Sequence, residues 1–193
     1  MIIDISQEVF SCKVFPGDPT PVSQRVLSIE RGDICNLTAF SMCAHNGTHV
    51  DAPFHFLPDG NTIEKIDLDA FVGDCYVARH EGNLTAEDVA GILEKAREAG
   101  ASERILIAGK ATVTAEAARV FAQAKIKLIG NESQTVGPED APMEVHKILL
   151  GSDIVLLEGI VLTDVAEGRY FLSAAPLNLA GCDGAPCRAF LVG

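Results

Sequence analysis

The sequence of 193 residues predicts a single α/β domain with a mixed central sheet and a few flanking helices. Three observations carry that prediction. From Thr85 to Gly130 the chain reads helix, short apolar strand, helix and strand, so at least one crossover unit joins parallel strands. Hydrophobic residues are 48% of the chain, enough for a substantial core, yet no stretch approaches the roughly 20 unbroken apolar residues of a membrane span. No repeat, low-complexity tract or linker divides the chain, so one domain covers residues 1–193.

Taken in order, Ile2 to Ile5 reads as the strand that starts the sheet. Phe15-Pro16-Gly17-Asp18-Pro19 is a rigid loop, because prolines fix φ and Gly17 permits a turn. Val22 to Ile29 and Ile34 to Met42 are strands around a turn at Arg31-Gly32-Asp33. Thr62 to Phe71 is a short helix or a loop, and Asp74 to Arg79 a strand. Thr85 caps a helix with acids in its first turn, Val89, Ile92, Leu93 and Ala96 inward, and Gly100 at its end. Arg104 to Ala108 is an apolar strand. Thr114 opens a second helix with Ala117, Val120, Phe121 and Ala124 inward, and Lys127 to Gly130 is the next strand. Pro142 to Leu150 is helical, Ile154 to Leu157 is a strand ended by Glu158, and Tyr170 to Ala174 continues the sheet. Gly184 and Pro186 read as a turn before a last strand from Arg188 to Val192.

The formal net charge of −12 argues against nucleic acid or an anionic membrane as partner. The start, Met-Ile-Ile-Asp-Ile-Ser, has no basic region before an apolar run, so a cytoplasmic enzyme is expected. Six scattered cysteines form no Cys-x-x-Cys pair and are expected to be reduced thiols.

The chemistry concentrates in His45-Asn46-Gly47-Thr48-His49-Val50-Asp51-Ala52-Pro53-Phe54-His55. His45, His49, Asp51 and His55 share odd parity, so in an extended segment all four project from one face. Gly47, the β-branched Thr48 and Val50, and Pro53 oppose a helix. Imidazole and carboxylate suit zinc or manganese. His55, on the same face, has the pKa range of a general acid/base, and equally that of a further ligand. The polar loop from Asn131 to Pro138 follows a strand's C-terminal end, where open α/β sheets place sites, and offers Glu132 as a proton shuttle.

His-x-Gly-Thr-His-x-Asp-x-Pro-x-His resembles the signature of the cyclase-like metal-dependent hydrolases, which include bacterial kynurenine formamidase (arylformamidase) and isatin hydrolase. His45, Gly47, Thr48, His49, Asp51, Pro53 and His55 match at every motif position. The resemblance implies a swivelling β/β/α fold and a homodimer or higher homo-oligomer. It implies one or two divalent cations, Zn²⁺ or Mn²⁺, on His45, His49, Asp51, His146 and Glu158; if there are two, Asp51 is a candidate bridge. Phe15, Pro16 and Asp18 are then at the mouth of the site. Asp183 and Arg188, from Gly181-x-Asp183-Gly184-Ala185-Pro186-x-Arg188, contact substrate or form a structural ion pair. The implied activity is hydrolysis of an amide, formamide, cyclic amide or lactone. A non-catalytic metal protein and a lyase or cyclase reaction on the same metals are the alternatives. The related enzymes carry an aromatic-bearing insertion where this chain has only Gly109 to Val113, and tryptophan is absent, so a smaller or more polar small-molecule substrate is expected.

Overall fold

The computed structural model describes residues 1–193. In chain order its regular elements are β1 (Ile2–Asp4), β2 (Val22–Leu27), β3 (Leu37–Ser41), β4 (His49–Asp51), β5 (Val72–Arg79), β6 (Gly82–Leu84), α1 (Ala86–Glu98), β7 (Arg104–Ala108), β8 (Ala111–Val113), α2 (Ala115–Ala124), β9 (Leu128–Asn131), α3 (Met143–Leu150), β10 (Val155–Glu158), β11 (Gly168–Ser173), β12 (Gly184–Pro186) and β13 (Phe190–Val192). Nine strands form one sheet in the order β1-β13-β11-β5-β7-β9-β10-β4-β12. Its centre, β5-β7-β9-β10, is parallel, and its flanks are antiparallel. The crossover unit expected between residues 85 and 130 is therefore part of a longer parallel run. No helix is long and apolar enough to cross a membrane.

Local chemistry explains the helices. The Thr85 hydroxyl accepts from the Asp88 N–H while the Asp88 carboxylate accepts from the Thr85 N–H, a closed capping box. Val89, Ile92, Leu93 and Ala96 are buried, as their spacing predicts. In α2 the buried stripe is Ala117, Ala118 and Phe121; Ala124 faces solvent instead, as the last residue before Lys125 turns left-handed at φ 54°. Strand alternation divides the core between the sheet's faces. Ile105 and Ile107 pack with Leu93, Phe121 and Leu149 of the helices, while Leu106 and Ala108 pack with Phe71 and Leu172 opposite.

Another expectation changes: Gly184–Pro186 is not a turn but an edge strand on β4, a place where proline's missing N–H costs no ladder bond. Residues 62–71, expected as a short helix or a loop, are a loop with two short 3₁₀ turns. The β2–β3 hairpin forms as expected but stands apart as its own two-stranded sheet, almost wholly exposed.

For function, the central fact is that β4 lies between β10 and β12. Its register sets His49 opposite Glu158 and Asp51 opposite Leu156. Just beyond Glu158, Gly159 ties three loops together. Its N–H donates to the Ser133 carbonyl (2.7 Å), and its carbonyl accepts from the Thr48 hydroxyl (2.7 Å) and the Gln7 amide (2.8 Å). Gly159 sits at φ +66°, and a Cβ there would meet the Gly47 carbonyl oxygen at 2.5 Å. We predict that Gly159→Ala lowers unfolding stability by about 2 kcal/mol or more, read from urea denaturation. An unchanged midpoint would contradict the role of this joint.

Candidate metal centre

His49 and Asp51 stand two residues apart on β4, so they share a face while Val50 points into the core. The extended segment ends there. His45 lies in a turn closed by the Asn46 side chain, whose Oδ1 accepts from the Cys43 N–H (2.8 Å). His55 ends a 3₁₀ turn begun by Pro53. Gly47, at φ +67°, and Pro53 break the strand on either side, so shared parity explains only His49 and Asp51. The two turns nevertheless swing His45 and His55 back to the same place, with ring centroids 4.1 Å apart. Gly184 makes room: a Cβ there would meet the His45 ring at 2.8 Å.

His146 arrives from α3 and Glu158 from the end of β10, both buried. Two backbone carbonyls orient the deepest imidazoles. His49 Nδ1 donates to the Gly47 carbonyl (3.0 Å) and His146 Nδ1 to the Pro142 carbonyl (2.9 Å), leaving each Nε2 free to coordinate. Glu158 Oε1 accepts from the Val136 N–H (2.8 Å), which fixes that carboxylate.

The donor atoms fit a cation. His49 Nε2 is 3.5 Å from both Asp51 Oδ1 and Glu158 Oε2; His146 Nε2 is 3.5 Å from Asp51 Oδ2 and 3.3 Å from Glu158 Oε1. These separations are long for hydrogen bonds, but bonds of about 2.0–2.2 Å at tetrahedral angles put neighbouring ligand atoms about 3.3–3.6 Å apart. Asp51 Oδ2 is buried without any hydrogen-bond partner. Asp51 belongs to two clusters of convergent donors, His49-Asp51-Glu158 and His45-Asp51-His55. Nitrogen and oxygen donors without thiolate suit a divalent cation of the zinc or manganese kind.

Without a cation, protons take its place. Burial pushes His45 down, but hydrogen bonds to Asp183 Oδ2 (2.9 Å) and Asp51 Oδ1 (2.8 Å) outweigh it and raise its pKa to about 11. His146 is likewise lowered by burial and raised further by Asp51 and Glu158, to about 10. Asp51 opposes its own burial through His146 and His45 and stays well below the usual carboxylate range. Asp183 is held low by His45 and then His55, whose Nδ1 is 3.1 Å from the same Oδ2.

His45, His49, His55, His146 and Glu158 line a pocket of about 240 Å³, and Phe15 and Asp18 are on its wall as well. Pro16 and Gly17 make the tip of the turn there, with the Asp18 N–H on the Phe15 carbonyl (3.1 Å) and Pro16 exposed outside the pocket. Two other expected residues are elsewhere. Glu132 is not in this pocket, and its oxygens are taken by the N–H groups of Gly109 (2.7 Å) and Leu162 (2.8 Å), so it is a brace for loops rather than a proton carrier. Arg188 does not pair with Asp183; β1 lies beside β13, and Arg188 pairs there with Asp4 (Nε to Oδ1, 3.0 Å) on the surface. Gln134 and Thr135 escaped sequence reasoning. Both line the pocket, and Gln134 Nε2 and Thr135 Oγ1 are buried without partners. Only their place in a polar loop after a strand pointed toward them.

Because His45 and His146 hold protons until the pH rises through about 11 and about 10, a cation must displace those protons at neutral pH. We predict that uptake of zinc or manganese at pH 7 releases protons and strengthens as the pH rises. Calorimetry in buffers of different ionisation enthalpy reads this; a heat independent of buffer would contradict it.

Comparison with known proteins agrees with this geometry. Residues 3–138 match the family model described as "Putative cyclase". The chain is 34% identical over 206 residues to the kynurenine formamidase of Erythrobacter litoralis (strain HTCC2594), covering 98% of this chain and 93% of that one. It is 36% identical over 210 residues to that of Paracidovorax citrulli (strain AAC00-1), covering 99% and 96%. A solved structure titled a potential metal-dependent hydrolase with cyclase activity superposes with a TM-score of 0.82 at 28% identity, covering 99% of this chain and 96% of that one. With the His45–His55 motif intact and the match running from end to end, the chain belongs to the cyclase family of metal-dependent hydrolases.

Proposed function

We infer that the chain is a metal-dependent hydrolase of carbon–nitrogen bonds other than peptide bonds, with His45, His49, Asp51, His146 and Glu158 as its metal ligands. The observation that carries this reading is the Asp51 cluster, in which the Nε2 atoms of His49 and His146 and the carboxylate oxygens of Asp51 and Glu158 stand at ligand-to-ligand spacing beside a histidine held at the rim of the same pocket. Relatives named kynurenine formamidase support an amide substrate, and formamides, cyclic amides and lactones are the compounds to test. Zn²⁺ and Mn²⁺ are the ions this donor set would favour, one or two per chain.

A divalent cation at this site supplies Lewis acidity, polarising the substrate carbonyl and making water a stronger acid. The chain's own residues move the proton. Asp183 accepts from His55 Nδ1, which fixes the tautomer and leaves Nε2 as the base. His55 takes a proton from the attacking water, Asp183 stabilises the imidazolium, and Nε2 then returns the proton to the leaving nitrogen. Gln134 lines the same pocket, and its Nε2 has no hydrogen-bond partner. A cysteine mechanism fits poorly: burial pushes the Cys75 and Cys187 thiols up to about 12, and no cysteine joins the donor clusters.

A second copy of the chain is the partner we propose. Val22, Val26, Leu37 and Phe40 are exposed on the β2–β3 hairpin, and a two-stranded hairpin alone is marginal in water. The six free cysteines suit a reducing cytoplasmic setting.

We predict that His55→Ala lowers kcat by about 10²–10⁴-fold while metal content stays at the wild-type level. Loss of metal together with activity would make His55 a ligand. Full activity would remove its acid/base role. Absence of amide, formamide or lactone hydrolysis by the metal-loaded wild type would favour a non-catalytic metal protein.

A further inference from the structure

Nearly every side-chain donor on the wall of the metal pocket is committed. His45 spends both ring nitrogens, on Asp51 (2.8 Å) and Asp183 (2.9 Å). His49 and His146 each spend Nδ1 on a backbone carbonyl and turn Nε2 to the buried carboxylates. His55 spends Nδ1 on Asp183, and its Nε2 is the proposed base. The remaining wall, residues 134 and 135 apart, is phenylalanine, proline and carboxylate, none of which donates at neutral pH. Two donors are left over, Gln134 Nε2 and Thr135 Oγ1. Both side chains are more than nine-tenths buried, both line this pocket, and neither atom has a hydrogen-bond partner. A buried donor without an acceptor is costly, and two on neighbouring residues of one pocket wall call for an acceptor that arrives from outside.

The backbone that carries these donors is pinned at three points. The Gly159 N–H donates to the Ser133 carbonyl (2.7 Å), Asn131 Nδ2 donates to the Thr135 carbonyl (3.3 Å), and the Val136 N–H donates to Glu158 Oε1 (2.8 Å). The last of these bonds ties the segment to a candidate metal ligand. Donors fixed before the substrate arrives need no reorganisation when charge develops on it.

We propose that Gln134 and Thr135 form an oxyanion hole, donating to the oxygen of the scissile carbonyl. The proposal rests on the hydrolase reading and adds two catalytic residues to it. The water oxygen bonds to the carbonyl carbon, the C=O π pair moves onto the carbonyl oxygen, and His55 Nε2 takes the water proton. The oxyanion so formed accepts from the Gln134 amide and the Thr135 hydroxyl. Its electron pair then re-forms the C=O bond, the C–N bond breaks, and His55 returns the proton to the leaving nitrogen. Such donors hold the tetrahedral oxyanion more tightly than the planar amide, so they act on turnover rather than on substrate affinity.

The test uses Gln134→Leu and Thr135→Val, which each remove one donor and nearly preserve side-chain size. Calorimetry measures binding of phenylphosphonate, a tetrahedral anion, to the metal-loaded wild type and variants, and formanilide hydrolysis gives kcat and KM. Each variant is expected to keep wild-type metal content and thermal stability, since it removes a polar group that had no partner. Phenylphosphonate affinity should fall about tenfold or more in each, and kcat about 10²–10³-fold with KM within a few fold. Unchanged phosphonate affinity in both variants, or no phosphonate binding by wild type, would overturn the proposal. Loss of metal or of folding in the variants would overturn it too, by making the two residues structural. Failure of the hydrolase reading shows separately, as a metal-loaded wild type that cleaves no amide whatever the phosphonate result.

Discussion

A carboxylate with no access to water must find positive charge or a proton, and Asp51 sets that requirement for the whole site. It is buried in the sheet with Glu158 close by, and one of its oxygens lacks any hydrogen-bond partner. The imidazoles of His45, His49 and His146 surround it, and without a cation they meet the requirement by holding protons at pH values where histidine is ordinarily neutral. The folded chain is therefore built around an electrostatic demand that a divalent cation meets. Metal affinity, proton balance and fold stability are linked through the same few atoms.

The rest of the structure keeps those atoms in place. β4 contributes His49 and Asp51 and is gripped on both sides, by β10 with Glu158 and by β12 with Gly184. Backbone carbonyls of Gly47 and Pro142 turn the two deepest rings so that Nε2 faces the carboxylates. Asp183 ties His45 to His55, so the candidate metal ligands and the proposed proton carrier share one carboxylate. That sharing places His55 close enough to serve the chemistry while it remains half-buried at the pocket rim.

The sequence announced this site through residue types and order, and only partly through geometry. Parity along a strand correctly paired His49 with Asp51, but His45 and His55 arrive by turns, because Gly47 and Pro53 interrupt the strand. The α1 cap and its buried stripe followed from local rules that the structure obeys. Gly184–Pro186 looked like a turn because edge strands tolerate the residues that mark turns. Arg188 and Glu132 were placed by order along the chain. Their partners, Asp4 on the neighbouring strand and the amides of Gly109 and Leu162, are set by tertiary packing that no spacing encodes. Gln134 and Thr135 are identified by what they lack, a hydrogen-bond partner, and that becomes visible only once the chain is folded.

The central claim is that Asp51 is the shared anchor of a metal centre. Its most direct test is metal content per chain by elemental analysis, on wild type and Asp51→Asn purified without chelators and equilibrated with zinc or manganese. The account predicts one or two equivalents in wild type and loss of that metal in the variant. A metal-free wild type in metal-replete buffer, or an Asp51→Asn variant that keeps its full complement, would contradict it.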